Sequence, residues 1–567
     1  MFTRSYKGLL RKSAGALKRA TKCDRSGLRF ASTSTSRSNG NFTKGAGLLF
    51  IGALAGATFV SYRTAENPPS FLFPASSTTK IKELTPPKYG KAEPAIQEII
   101  QALGKDKVVE TKNTLDDHSD TFFQTKHATD DQRPVAVVYP ESTEEVSEIM
   151  KICHKHRVPA VPFTGGTSLE GHFTPTRKGI SVDLSKMDKI VALHKDDLDV
   201  VVQPAVGWED LGDYLSSYNL LFGPDPGPGA CIGGMIGTSC SGTNAARWGT
   251  MKENVISLQI VLADGTIIKT KRRPRKSSAG YNLNGLFIGS EGTLGIVTEA
   301  TLKLNVKPKY QNVAVVSFPS IADAARSVSS FVQGGLQLDA MELLDEKMMH
   351  FVNDSGETSI KYDEAPTLML KIGDNSKEGL KAIVKNVKEI CKENHNHHFK
   401  FAQDEDEKLE LWNARKVALW STIAYGKKHV GPDAKVWTTD VAVPISKLAE
   451  NLEKTKADIE STGLPTSIVG HVGDGNYHCF LLFEEPQRPL AQAAVERMIT
   501  RAIAADGTVT GEHGIGFGKK VYLEQELGDD TIDVMRKIKM ALDPYRILNP
   551  DKVFTIDPTE SPSLREG

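Results

Sequence analysis

From about residue 105 onward, the apolar positions recur at two distinct periods. Residues 135–138 form an apolar run that predicts a short strand. Ser142 with Glu145 three positions later has the form of a capping box that opens a helix. In that helix Val146, Ile149, Met150 and Cys153 fall at i, i+3, i+4 and i+7, one buried face. Residues 158–161 predict the next buried strand, and a glycine-rich loop follows. Strand, helix, strand and loop make one α/β unit. Further short strands are expected at 180–182, 190–193, 200–203 and 255–262, the last turning at Asp264-Gly265, with a helix near 208–218. After Lys309 the texture changes. Strands at 313–318, 367–372, 436–443 and 466–470 alternate with amphipathic helices at 320–331, 377–393 and 446–461. That alternation predicts an antiparallel sheet covered by helices, so the fold class is α+β with two principal parts.

The ends alter this picture more than the averages do. A chain of 567 residues exceeds a single core, and its 70 Lys+Arg balance 70 Asp+Glu, which argues against a nucleic-acid partner. Residues 1–40, however, hold ten Lys or Arg against the single acid Asp24, the composition of a mitochondrial presequence. Residues 45–62 are uncharged and as a helix would be about 27 Å long, against roughly 30 Å of hydrocarbon core. They are expected to be a transmembrane or inner-membrane sorting segment, with the body facing the intermembrane space. Residues 64–104, proline-rich at first, read as a linker. The parts then divide as 105–308, 309–540 and a C-terminal return at 541–567. Six cysteines show no C-x-x-C pair, so free thiols are expected.

Three stretches carry candidate chemistry in the first part. Pro162-Phe163-Thr164-Gly165-Gly166-Thr167-Ser168-Leu169-Glu170-Gly171 can turn several backbone N–H groups toward one anion, a phosphate cradle. It lacks the Lys-Ser/Thr of a Walker loop, and no G-x-G-x-x-G opens a helix here. Taken alone it also reads as a plain surface turn. Glycines and small hydroxyls crowd residues 223–244, leading straight into strand signals. The third stretch is 289–298, Gly-Ser-Glu-Gly-Thr-Leu-Gly-Ile-Val-Thr. In the second part, His471-Val472-Gly473-Asp474-Gly475-Asn476-Tyr477-His478 reads as a hairpin turning at Asp474-Gly475. His471 and His478 then become direct cross-strand neighbours, at a spacing that suits two imidazoles on one metal. Facing histidines also occur as ordinary sheet residues. Glu512, in Gly511-Glu512-His513-Gly514-Ile515-Gly516, would complete a His₂Glu set open to substrate, with His513 left for acid–base work. A glycine-rich turn with incidental charge is the other reading of that run.

The three glycine-rich stretches, in this order, resemble the FAD-binding domain of the vanillyl-alcohol-oxidase superfamily. By resemblance Thr164, Gly165, Gly166, Thr167 and Ser168 hold the pyrophosphate, and Gly229, Gly233, Thr238 and Asn244 line flavin and ribitol. Glu291 and Ile296 would serve the adenosine side, with Asn549 of the returning segment also against the cofactor. No histidine lies inside the cradle and His172 comes just after it, so non-covalent FAD is expected. Together GGTSLEG, HVGDGNYH and GEHGIG resemble the FAD-linked 2-hydroxyacid dehydrogenase family over roughly residues 110–555. The resemblance implies a divalent metal, Zn²⁺ by donor type, on His471, His478 and Glu512, with His513 as catalytic base. It also implies Arg415, in Trp412-Asn413-Ala414-Arg415, as the substrate-carboxylate residue. The reaction implied is oxidation of a D-2-hydroxy acid with hydride passing to flavin. Residues 436–440 supply no cation, and Phe480 stands where members acting on dicarboxylates are polar. An apolar wall suits a methyl group, so lactate, D by resemblance, is the expected substrate. Given the expected inner-membrane segment, cytochrome c is the expected acceptor. D-2-hydroxyglutarate oxidation and a non-redox flavin alkyl transferase are the alternatives.

Overall fold

The computed structural model describes residues 76–124 and 126–561. The presequence and the uncharged segment expected at 45–62 lie outside them. Among the described residues, no helix is long and apolar enough to cross a membrane.

The first sheet has four strands in the order Val108–Val109, Ala136–Val138, Ile180–Asp183, Ala160–Phe163. Its three longer strands run parallel, so each crossover must be covered. Helix Thr143–His156 supplies the cover with Val146, Ile149, Met150 and Cys153, all fully buried. Ser142 Oγ caps it by accepting from Glu145 N at 3.2 Å. The expected reciprocal half of the box is displaced: the Glu145 carboxylate accepts from Glu141 N and pairs with Lys107. The linker expected over 64–104 is also corrected. Ala92–Leu103 is a helix that buries Ala95, Ile96 and Ile99 in the same core. Pro94 lies in its first turn, where the missing N–H would have had no intrahelical partner. At the other end of the chain, Asn549 N donates to Ala160 O and Ala160 N to Ile547 O, laying residues 547–549 beside strand Ala160–Phe163.

A second, antiparallel sheet follows in the order Ile190–His194, Asp199–Val202, Ile296–Lys303, Val255–Val261, Ile267–Lys269. Its buried face packs on helices Trp208–Ser216 and Ile232–Thr238 through Leu211, Leu215, Ile232, Met235 and Ile236.

The third sheet is the expected antiparallel one, and helices cover both of its faces. Its path is His398–Phe401, Tyr310–Ser317, Thr367–Asp374, Ala340–Leu344, Thr466–His471, Asn476–Phe483, Lys435–Thr438. Helices Ile321–Gln333, Ile445–Glu460 and Arg488–Ala504 share one core with it; Glu346–Ser355, Glu405–Lys416 and Ala418–His429 share the other. Two expectations change here. The strand expected over 436–443 is broken into Lys435–Thr438 and Val441–Ala442, because Thr439 and Asp440 leave the ladder for polar contacts. The hairpin register is also shifted. Val469, not His471, pairs with His478. A two-residue turn of the expected kind needs positive φ at both central residues, but only Gly475 has it, at 77°. A 3₁₀ turn at Val472–Asp474 widens the connection instead. A side chain at Gly475 would collide with Val443 O, whose residue's N–H donates to Gly475 O.

Candidate active site

The shifted register still converges the histidines. His471 ends its strand and pairs with Glu342 in the neighbouring one; His478 projects from the same face of the next strand over. Their rings are 5.6 Å apart and nearly perpendicular. Glu512 Oε1 lies 3.0 Å from His471 Nε2 and 3.3 Å from His478 Nε2. Each Nδ1 faces an acceptor: Glu342 Oε2 at 2.8 Å for His471, and the Thr439 carbonyl at 2.8 Å for His478. With protons on Nδ1, both Nε2 lone pairs point into the cluster, the arrangement metal-ligating histidines use. Ser241 Oγ donates to the other Glu512 oxygen at 2.8 Å. One ligand atom from each of the three residues lies within 4.8 Å of the others, so the donor set fits one divalent cation. Burial disfavours charge at His471, but Glu342 and Glu512 outweigh it and raise its pKa well above the ordinary value. Burial likewise opposes the Glu512 carboxylate, and His471 and His478 outweigh it, holding its pKa well below the ordinary value.

Asp440 holds the loop that delivers Glu512 and His513. Its Oδ2 accepts from the backbone N–H groups of both residues at 3.0 Å and from Thr510 Oγ at 2.6 Å; Oδ1 accepts from Asn476 Nδ2 at 2.7 Å. His513 thereby stacks on His478, with ring centroids 5.0 Å apart and planes at 15°. Its Nδ1 is buried without a hydrogen-bond partner among the described residues. Burial pushes its pKa down to about 4, against the opposing pull of Asp440, so the imidazole is neutral at pH 7 and able to accept a proton.

Arg415 comes from helix Glu405–Lys416 on the same side of the sheet. Its Nε donates to Glu342 Oε2 at 2.6 Å. Both terminal nitrogens are left without a bond among the described residues, and such a fork matches a carboxylate. Phe480, two residues along the strand from His478, packs with Val436, Val469 and Trp412 into an apolar flank. Residues 436–440 supply no cation, as expected, but the strand Thr367–Asp374 brings one to this side. Lys371 stands 4.0 Å over the Trp412 ring, facing Asp225, Glu342 and Asp339, and burial pulls its pKa down. Nor do residues 436–440 form one wall, because Thr439 Oγ points to Cys479 O and Met498 Sδ in the opposite core.

The cradle fits a pyrophosphate. Thr164–Ser168 leave the end of strand Ala160–Phe163, and Ser168 Oγ is buried with no partner among the described residues. A side chain at Gly165 would come within 2.6 Å of Gly229 O, so the first two glycine-rich loops lie directly against each other. In the second loop, Gly233 N donates to Pro204 O, Thr238 Oγ to Gly234 O, and Asn244 N to Asp225 Oδ1. Three residues expected at the cofactor also bond or pack within the protein, while Asn549 Oδ1 is buried without a partner among the described residues. Glu291 accepts from Ile515 N at 2.6 Å and Gly516 N at 2.8 Å, clasping the loop that carries Glu512 and His513 to the first part. Ile296 is buried in the core of the first sheet. Asn549 Nδ2 ties the carbonyls of His172 and Glu291 together.

Residues 134–271 match the model of an FAD binding domain, and residues 307–553 match that of the C-terminal domain of FAD linked oxidases. The mitochondrial D-lactate dehydrogenase (cytochrome) of Kluyveromyces lactis is 54% identical, over 90% of this chain and 90% of its own. D-lactate dehydrogenase (cytochrome) 1 of Saccharomyces cerevisiae, also mitochondrial, is 54% identical over 86% of this chain and 85% of its own. The chain belongs to the D-lactate dehydrogenase (cytochrome) family of FAD-linked oxidases. Among solved structures, 4-ethylphenol oxidase from Gulosibacter chungangensis superposes with a TM-score of 0.67, covering 83% of this chain and 99% of its own at 18% identity. At that identity the likeness speaks for the vanillyl-alcohol-oxidase type of fold alone.

Within this family fold, the residues that sequence reasoning passed over are acids in the second layer. Glu342 sits in Ala340–Leu344, whose residues are all buried, so no alternation marks the strand. Asp440 lies in an expected strand beside two other polar residues, Thr438 and Thr439, and neither acid has a spacing that marks it.

Proposed function

We propose that this protein oxidises D-lactate to pyruvate with non-covalent FAD, passing the electrons to cytochrome c. The observation that carries the reading is the meeting of a His₂Glu donor set, a neutral His513 and a half-free Arg415 fork in a chain 54% identical to D-lactate dehydrogenases (cytochrome). When bound, FAD supplies the acceptor for the Cα hydride, and a divalent cation, Zn²⁺ by donor type, lowers the pKa of a neighbouring hydroxyl. The chain's own residues do the rest. Arg415 binds the substrate carboxylate through its two terminal nitrogens. His471, His478 and Glu512 hold the cation and so set the position of the 2-hydroxyl. His513 accepts the hydroxyl proton as the hydride leaves Cα, which yields the 2-oxo acid. The apolar flank at Phe480 takes the methyl group and excludes water. Ser168 and the backbone of Thr164–Thr167 hold the pyrophosphate, with Gly229, Gly233, Thr238 and Asn244 along the flavin.

The mitochondrial names of the relatives and the cationic composition of residues 1–40 support import, and residues 45–62 support attachment to the inner membrane facing the intermembrane space. His513→Ala tests the chemistry. It is expected to slow flavin reduction by D-lactate about 10²–10⁴-fold while the bound FAD spectrum is retained. Reduction at the wild-type rate would remove His513 from the mechanism.

A further inference from the structure

We propose that Glu342 is a positioning residue that joins Arg415 and His471 into one unit, so that metal loading and capture of the substrate carboxylate are coupled. The inference rests on the reading above of His471 as a metal ligand and Arg415 as the carboxylate-binding group.

Glu342 stands in the middle of the cap sheet, fully buried, between Met341 and Leu343. An ionised carboxylate in that setting needs partners, and it has two at hydrogen-bond distance. Arg415 Nε donates to Oε2 at 2.6 Å, and His471 Nδ1 lies 2.8 Å from Oε2 and 2.9 Å from Oε1. Lys371, on the adjacent strand, interacts electrostatically with the same carboxylate. Each bond fixes something that the chemistry needs. The bond to His471 keeps the proton on Nδ1 and leaves Nε2 toward Glu512. The bond to Arg415 fixes the plane of the guanidinium and turns its two terminal nitrogens outward. Because both bonds converge on Oε2, a shift of either partner displaces the other. The ladder pairing Glu342 with His471 holds that shared oxygen in register. A carboxylate serving stability alone would not need to join a proposed metal ligand to a proposed substrate ligand.

The test uses the full-length FAD enzyme and Glu342→Gln, which keeps the volume and removes the charge. Two affinities are measured: that for Zn²⁺, by competition with a chelating dye, and that for pyruvate, by perturbation of the oxidised flavin spectrum with and without Zn²⁺. In the wild type, Zn²⁺ is expected to tighten pyruvate binding, and pyruvate to tighten Zn²⁺ binding by the same factor. Glu342→Gln is expected to weaken Zn²⁺ about 10–100-fold and to bring the linkage factor toward one, with FAD content unchanged. Arg415→Lys, which cannot repeat the Nε bond, is expected to weaken Zn²⁺ as well as pyruvate, although it touches no metal ligand. Wild-type Zn²⁺ and pyruvate affinities in Glu342→Gln, with only a lower melting temperature, would reduce Glu342 to a structural acid and overturn the proposal. Should Glu342→Gln fail to fold, unchanged Zn²⁺ affinity in Arg415→Lys would overturn it. A wild type that binds no Zn²⁺ at these residues would instead defeat the metal reading on which the proposal stands.

Discussion

Two histidines that both border His478 are driven in opposite directions by their neighbours. His471 lies between two carboxylates that favour its charged form, whereas His513 is buried on the His478 ring and its pKa falls to about 4. A base of this kind works above its pKa and is lost as pH falls through it. The acid limb of kcat/KM for D-lactate is therefore expected below the ordinary histidine value of about 6.5, with little change from there to neutrality. A nearby bound cation would shift the limb in the same direction. An acid limb centred near or above 7 would mean that another group accepts the proton. Residue type and local sequence were enough to pick out His471, His478, Glu512 and His513. They did not disclose Glu342, Asp440 or Lys371, because a lone charge inside an apolar strand has no spacing to mark it. The same limit explains Glu291. Its place in the Gly-Ser-Glu-Gly-Thr run was legible, but not that its carboxylate turns to the backbone of Ile515 and Gly516.

Among the elements, periodicity identified those that bury one face. Helix Thr143–His156 and helix Lys377–Glu393 lie where their apolar spacing put them. Periodicity failed where burial is two-sided, as at Ala340–Leu344, and where prolines mask a helix start, as at Ala92–Leu103. That overlooked helix is part of the core: Ile99 is fully buried, so Ile99→Ala is expected to cost about 2–5 kcal/mol of stability in urea unfolding. A loss below about 0.5 kcal/mol would return the segment to the status of a linker. The break in the strand at Asp440 has a functional consequence. One carboxylate oxygen gathers the N–H groups of Glu512 and His513, so the loop's shape depends on an acceptor at that atom. Asp440→Asn puts an NH₂ group at one of the two oxygen positions and forfeits part of this set. It is expected to lower both Zn²⁺ affinity and the rate of flavin reduction at least tenfold. Loss of neither would show that the glycine-rich loop holds its form unaided.

For the molecule as a whole, His471, His478, Glu512 and His513 come from the second part, and the Thr164–Ser168 loop from the first. The two parts are fastened together by Glu291 on the backbone of Ile515 and Gly516 and by residues 547–549 beside Ala160. A fold of this type was legible through the family resemblance of three glycine-rich stretches in order; their composition alone says only that the backbone can approach a large flat ligand. The substrate leaves a weaker trace: the apolar flank at Phe480 argues for a methyl group, while Lys371 adds a cation nearby that only the structure discloses. The deciding measurement is therefore anaerobic stopped-flow absorbance of the bound flavin on mixing with D-lactate, L-lactate or D-2-hydroxyglutarate, each repeated after chelation. Metal-assisted D-lactate oxidation predicts rapid bleaching by D-lactate alone, lost on chelation and restored by Zn²⁺. Faster bleaching by D-2-hydroxyglutarate, or bleaching by D-lactate that chelation leaves untouched, would contradict it.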